Sequence, residues 1–323
     1  MISFIAQRIA KAIVVLLALV VLNFFLIRMA PGDPALVMAG EAGAGDQVFL
    51  AQLREKFGLD QPLPVQLFLY VKGILSLDLG FSFRQQMPVA TLILQRLPAT
   101  LLLTGTASAI SLAFGIVFGA LAARFAGTWA DTAITVLALV FYATPLFCVA
   151  LMAILLFSVA VDWLPSFGYE TVGANYTGLT HVLDVAAHLV LPATTIGLFF
   201  MATYARMTRA SMLEVNRLDF VKTARAKGLS DTVIQRRHVL RNALLPVVTL
   251  AGLQAGTLVG GAVLTETVFA WPGIGRLMYE ALLQRDYNLL LGVFVVCSAM
   301  VLAFNLITDL VYRSVDPRIE FAS

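Results

Sequence analysis

Residues able to do chemistry are few in this chain, and they seldom stand together. His181 and His188 lie seven apart, but no third ligand is near enough in sequence to make a metal site. Glu266 closes a long apolar run without an evident partner for acid or base work. Asn305 and Asp309 end another apolar run; Arg313 follows Asp309 by one helical turn, so an interfacial ion pair accounts for that acid. Cys148 and Cys297 both sit inside apolar runs and read as buried thiols. Lys222, Arg225 and Lys227 could attract a phosphate or an anionic lipid. The chain has no GxxxxGK[ST] phosphate loop, so it does not bind ATP by that route. No paired acids, no nucleophile beside a base and no zinc-like spacing point to an enzyme, and no cofactor is expected.

The three bases belong to the one long charged stretch, 206–246, which holds nine Lys/Arg against Glu214, Asp219 and Asp231. Val215, Leu218, Val221 and Ala224 recur there every three residues, which predicts a helix. Gly228 should stop it, because glycine accepts the left-handed conformation of a C-terminal cap. Ser230 can cap the next helix, which runs through QRRHVLRN into the apolar segment beyond Pro246. Two short helices around a glycine turn are therefore expected between two membrane spans.

Composition supplies the membrane. Of 323 residues, 60% are hydrophobic and 13% charged, where a soluble domain averages about 25% charged. The mean hydropathy is +0.89. A net charge of +3 gives no reason to expect nucleic acid. The first apolar run follows Arg8 and Lys11 and is expected to be a span, with Lys11 reaching back to the interface, and not a cleaved leader. The Pro31-Gly32-Asp33-Pro34 cluster should end it. Further apolar segments fall at 97–123, 132–161 (with Pro145 as a kink), 189–205, 243–265 and 287–308. Each is measured against the roughly 20 residues a helical span needs; 189–205 is marginal. Six spans result. The chain then divides into the N-terminus and first span (1–28), a small outer cap (29–96) with short amphipathic pieces at 49–57 and 65–75, and a core of five spans (97–323) carrying the charged loop 206–242.

Gly252, Gly256 and Gly260 recur every fourth residue on the fifth span. Such a stripe lets another backbone come close, either as packing inside the subunit or as a wall of a pathway. Trp271-Pro272-Gly273-Ile274-Gly275 reads as an aromatic-anchored turn at the outer interface.

These stretches resemble a known family. DFVKTARAKGLS at 219–230 with HVLRNALLP at 238–246 resembles the cytoplasmic coupling loop of permease subunits of binding-protein-dependent ABC importers, most closely the dipeptide/oligopeptide/nickel group. The family motif is Glu-Ala-Ala, three residues, then Gly; Lys222, Thr223, Ala224 and Gly228 occupy those places. APGDP at 30–34, GLDQPLPVQ, LDLGFSF and TETVFAWPGIGRL add separate points of likeness along the chain. The resemblance implies an all-α polytopic, MetI-like fold of six transmembrane helices without an active site of its own. It implies a second permease subunit (a similar paralogue), two cytoplasmic ATPase subunits and a periplasmic binding protein, all at a bacterial inner membrane. It assigns the ATPase-coupling role to Asp219, Phe220, Lys222, Thr223, Ala224, Arg225, Gly228 and Leu229. ATP binding would then draw the loops together and switch the spans from inward-open to outward-open. Substrates of such permeases include dipeptides, oligopeptides, glutathione, nickel chelates and some oligosaccharides, and the residues alone do not choose among them. An ion-coupled secondary carrier is the alternative; it would want acids near mid-membrane, and the expected spans lack them.

Charge placement orients the chain. With the N-terminus inside, segments 1–11, 124–131, 206–242 and 309–323 hold two, one, nine and two Lys/Arg. The opposite segments 28–96, 162–188 and 266–286 hold six, none and two, and the long first one counts little. Both termini and the charged loop are therefore expected in the cytoplasm. A reporter active only outside that compartment should be active when fused after Val172 and silent when fused after Ser230; the opposite result overturns this topology.

Overall fold

The computed structural model describes residues 2–29, 47–56, 60–82 and 84–315. The first helix, α1, runs Ile2–Arg28. The 31–34 cluster expected to end it lies outside the described residues. Gln47–Lys56 (α2) and Leu63–Leu75 (α3) fall where the short amphipathic pieces were expected. A two-residue hairpin that the sequence did not announce follows, β1 (Phe81–Ser82) against β2 (Met87–Pro88), antiparallel with Phe81 opposite Pro88. Then come α4 (Val89–Arg124), α5 (Trp129–Ala143), α6 (Leu146–Ala153), α7 (Leu179–Val215), α8 (Asp219–Ala226), α9 (Arg241–Val268), α10 (Ile274–Leu283) and α11 (Tyr287–Val315).

Four described helices contain stretches long and apolar enough to cross a membrane: Gln7–Leu26, Val89–Arg124, Leu179–Val215 and Tyr287–Thr308. The pair α5 and α6, with its continuation to Ala160, passes the same test as one broken span bent by 103°. The break falls at Pro145, the expected kink. Pro145 lacks an N–H and pushes its predecessor out of the helical region, and Thr144 is extended at φ −79°, ψ 130°. Past α6 the chain widens into a π-helix, Ile154–Ala160, and the Ser158 hydroxyl donates to the Leu164 carbonyl at 2.6 Å.

The chain folds as two units. The first takes in Met1–Thr100 and Pro272–Ala303. Its core joins Val89, Leu92 and Ile93 of α4 to Leu289, Leu290 and Val293 of α11. Helix α10 adds Ile274, Leu277 and Ala281, spaced three and four apart and so on one face. This helix lies inside 266–286, which the sequence presented only as an outer loop. Asp286 caps α11 by accepting the Leu289 N–H at 3.1 Å, and it also accepts the Ser82 hydroxyl. Asn288 donates to the Phe81 carbonyl at 3.1 Å, so the hairpin is tied to the start of α11. Phe24 of α1 packs on Tyr70 of α3 with centroids 5.7 Å apart.

The second unit, Leu101–Trp271 with Phe304–Ser323, is organised around α7. At 37 residues this helix is about 55 Å long, against roughly 30 Å of bilayer hydrocarbon. The segment 189–205 looked marginal because only the middle of a longer helix is apolar. Leu191, Ala193, Ile196, Met201, Ala202, Tyr204 and Ala205 are buried along it. A glycine seam seats it against α4. A Cβ on Gly115 would lie 2.4 Å from the Tyr204 Cβ, one on Gly119 2.5 Å from the Ala205 carbonyl oxygen, and one on Gly197 2.6 Å from the Ile110 side chain. The G-x-x-x-G spacing of 115 and 119 signals this packing in the sequence, where the stripe at 252–260 drew attention instead.

At Gly119 the obstructing atom is backbone and cannot swing aside. Gly119→Ala should therefore destabilise the folded protein by about 1–3 kcal/mol, read as a lowered unfolding midpoint in detergent, whereas Gly105→Ala, where nothing lies within 4 Å, should not. Equal midpoints for the two variants would reject the seam.

Candidate functional site

The charged loop is built on the far end of α7. That helix stops at Val215, three residues leave the helical path, and α8 begins at Asp219. The continuous helix expected through Val215, Leu218, Val221 and Ala224 is thus broken at 216–218. Leu218 is extended (φ −71°, ψ 150°) and exposed, outside the stripe it seemed to share. The break lets Val221 and Ala224 turn back. They pack with Ala123 at the end of α4, Met212 of α7, and Ile234, Val239 and Ala243 beyond the turn. A straight helix would have carried both away from Met212.

Gly228 performs the turn expected of it, at φ +80°. The Leu229 N–H donates to the Ala224 carbonyl at 3.3 Å and the Gly228 N–H to the Arg225 carbonyl at 2.9 Å. That is the paired bonding of a Schellman cap, which needs a left-handed residue at this position. Ser230 stands at the N-cap position of a single turn, Asp231–Val233, without a side-chain cap bond. A π-helix follows at Ile234–Leu240. Ile234 and Val239, five apart, are both fully buried, as the wider i→i+5 winding allows. Asn216 and Gln235 exchange amide hydrogen bonds at 2.9 and 3.4 Å and tie the break after α7 to the π-helix.

Of the eight residues singled out in the loop, only Ala224 is buried; Asp219, Phe220, Lys222, Thr223, Arg225, Gly228 and Leu229 are exposed. Lys222 pairs with Asp219 at 2.8 Å on the surface. Phe220 (41%), Leu229 (41%) and Leu218 (46%) expose apolar side chains among these charges. The loop is therefore a small body with its own core, presenting a mixed apolar and charged face.

The glycine stripe on α9 resolves in part. Gly252 touches α11: the Thr308 hydroxyl donates to the Gly252 carbonyl at 3.1 Å, and a Cβ at 252 would meet the Thr308 methyl at 1.9 Å. Packing inside the subunit accounts for this member. Gly256 is buried, and the surroundings of Gly260 lie outside what is described.

The other candidates are absorbed locally. His181 pairs with Glu170 at 3.2 Å, and the His188 ring bonds the Asp184 carbonyl at 2.8 Å. Asp184 in turn accepts both the Thr171 N–H and hydroxyl at 2.7 Å. Glu266 is fully buried. Trp271 is fully buried too, 4.9 Å between centroids from Tyr169, so it serves as an internal packing residue and not as the interface anchor expected. The side chains of Asp309 and Arg313 lie outside the described set.

Apolar helices long enough to cross a membrane, with an exposed basic loop packed on their ends, describe a polytopic membrane protein, and the chain belongs to the family of binding-protein-dependent transport system inner membrane components. The family's model matches residues 115–321, and the model of its N-terminal part matches residues 1–104. Within it the chain is similar to the dipeptide transport system permease protein DppB of Escherichia coli (strain K12), at 39% identity over 337 residues, covering 99% of each chain. It is 38% identical over 336 residues to the protein of the same name from Alkalihalophilus pseudofirmus, covering 99% of this chain and all of that one. Among solved structures, a chain of an inward-facing MetNI methionine ABC transporter shares the fold, with TM-score 0.56 and 21% identity over 70% of this chain and 97% of that one. The protein is a DppB/OppB-like permease subunit of an ABC importer and a multi-pass inner-membrane protein. Membership implies ATPase and substrate-binding-protein partners.

Gly252→Leu should lower the amount of folded permease recovered from membranes, because Thr308 already fills the space. A double variant with Thr308→Ala should recover part of it. Normal recovery of the single variant would show that α9 and α11 do not meet there.

Proposed function

We propose that the chain forms half of a translocation pathway for peptides or a related small solute, delivered by a periplasmic binding protein, with a second permease subunit supplying the other half. The dipeptide permeases it resembles along its whole length support that substrate class. In this reading the chain crosses the inner membrane six times, with both termini and the loop 206–242 in the cytoplasm. The described part of 29–96 belongs to a small periplasmic cap, and residues 97–323 form the core. The chain itself carries no catalytic site; hydrolysis belongs to the ATPase subunits.

One observation carries the loop's role. The loop exposes Leu218, Phe220, Leu229 and Val233 on a body whose core is formed by Val221, Ala224, Ile234 and Val239. Apolar surface in a water-facing segment has a use if another protein covers it. The loop would seat in a groove on an ATPase subunit, with Asp219, Lys222, Thr223 and Arg225 around the apolar contact. Closure of the ATPase pair on ATP would then move the loops together.

Gly228→Asp tests this. A residue with a Cβ at φ +80° costs roughly 1 kcal/mol or more, and the added carboxylate would meet the partner surface. The expected result is a chain inserted at normal level that no longer co-purifies with the ATPase subunits or no longer supports uptake. Ala224→Asp should also abolish uptake, by placing a charge in the loop's core. Lys227→Ala, on the solvent side, should do much less. A Gly228→Asp chain that holds the ATPases and transports at the normal rate rejects the docking role.

A further inference from the structure

Asp131 stands in the first turn of α5 and is 5% exposed. Its carboxylate takes a two-pronged bond from Arg209 of α7, Nε to Oδ1 and Nη2 to Oδ2, each 2.7 Å. The Gly127 N–H, in the turn between α4 and α5, donates to the same carboxylate at 3.0 Å. One buried group therefore holds together the α4–α5 turn, the start of α5 and the distal part of α7. Parallel bonds of this kind fix orientation as well as distance.

Its surroundings make the pair mechanically important. Arg209 lies six residues before α7 ends, and Met212, in the next turn, belongs to the loop's core. On the other side, α5 leads to the 103° break at Pro145 and on to α6. A partly open pocket of about 280 Å3 lies at this level, lined by Ile134, Thr135 and Ala138 of α5, Ala205, Arg206 and Arg209 of α7, and Ala122 of α4. Arg209 stands in the wall of this pocket, and Arg206 beside it lies over the Tyr142 ring at 4.9 Å.

We propose that the Asp131–Arg209 pair is the strut that carries displacement of the loop 216–240 into the broken helix pair α5–α6. Asp131 and Arg209 are thus positioning residues for coupling. The inference rests on the loop being the ATPase-docking element. The loop's packing against Met212 makes it move with the end of α7 and its packing against Ala123 with the end of α4; the fork and the Gly127 N–H make the start of α5 follow. The break at Pro145 then converts that motion into a swing of α6 about a defined point.

The experiment uses the assembled transporter with its ATPase subunits in nanodiscs, and ATP plus vanadate as the trigger. An environment-sensitive fluorophore on Val159→Cys, 67% exposed just beyond α6, reports the broken span; one on exposed Thr223→Cys reports the loop. Asp131→Asn keeps the shape of the side chain and removes the charge. It should retain the ATPases, their hydrolysis and the Thr223 response, while the Val159 response falls about tenfold, within the range for removing one link of a coupling network. A merely structural role would lower both responses together, or neither, and either outcome overturns the strut. If Asp131→Asn does not assemble, Arg209→Lys decides in the same way, since it keeps the charge and gives up the fork. Gly228→Asp is the control for the underlying reading. If it leaves ATPase attachment and the Thr223 response normal, the loop's docking role fails. If it abolishes them while Asp131→Asn keeps a full Val159 response, the strut alone fails.

Discussion

The second unit depends on how closely α4 and α7 approach. Inside a bilayer, apolar side chains gain nothing by leaving lipid for one another, so helix association rests on contact and fit. Gly115 and Gly119 remove the side chains that would hold α4 away from Tyr204, Ala205 and Thr208, and Gly197 does the same for Ile110. Everything beyond α7 inherits that placement. The helix is about 55 Å long, so an error in its seating at the glycines would be carried to Met212 and to the loop.

The loop extends the same logic outside the apolar region. Its stability comes from seven buried side chains gathered from α4, α7, α8, the π-helix and α9. Two devices make that gathering possible: the three-residue break after Val215, tied down by Asn216 and Gln235, and the left-handed turn at Gly228. Both shorten α8 to eight residues, far below the length at which a helix is stable alone in water. Such a helix exists because it is packed, and that gives the exposed loop a fixed shape.

Charge is used sparingly and in specific places. The exposed Asp219–Lys222 pair adds little, as surface pairs do. The Asp131–Arg209 pair is of another kind: the acid is buried and takes hydrogen bonds from Arg209 and from the Gly127 N–H, and Arg209 stands in the wall of a partly open pocket.

Much of this was legible in the order of residues. Hydropathy marks the apolar stretches because the bilayer requires backbone groups to be satisfied within each helix. Pro145 announced the break in the third stretch, since proline removes a donor at any position in any context. Gly228 announced the turn, since only its conformation fits a Schellman cap at modest cost. The likeness of 219–230 to permease coupling loops carried the family. Tertiary structure alone decided the rest. Leu218 shares the spacing of Val221 and Ala224 but points to solvent, because the chain leaves the helix at Asn216 to bring its neighbours back onto Met212. Trp271 has the composition of an interface anchor but lies inside the protein against Tyr169. Asp131 and Arg209 are 78 positions apart, and no periodicity links residues on different helices. A sequence fixes local conformation and face; which distant faces meet depends on packing across the whole unit, where glycine, cavity and ion pair are chosen together.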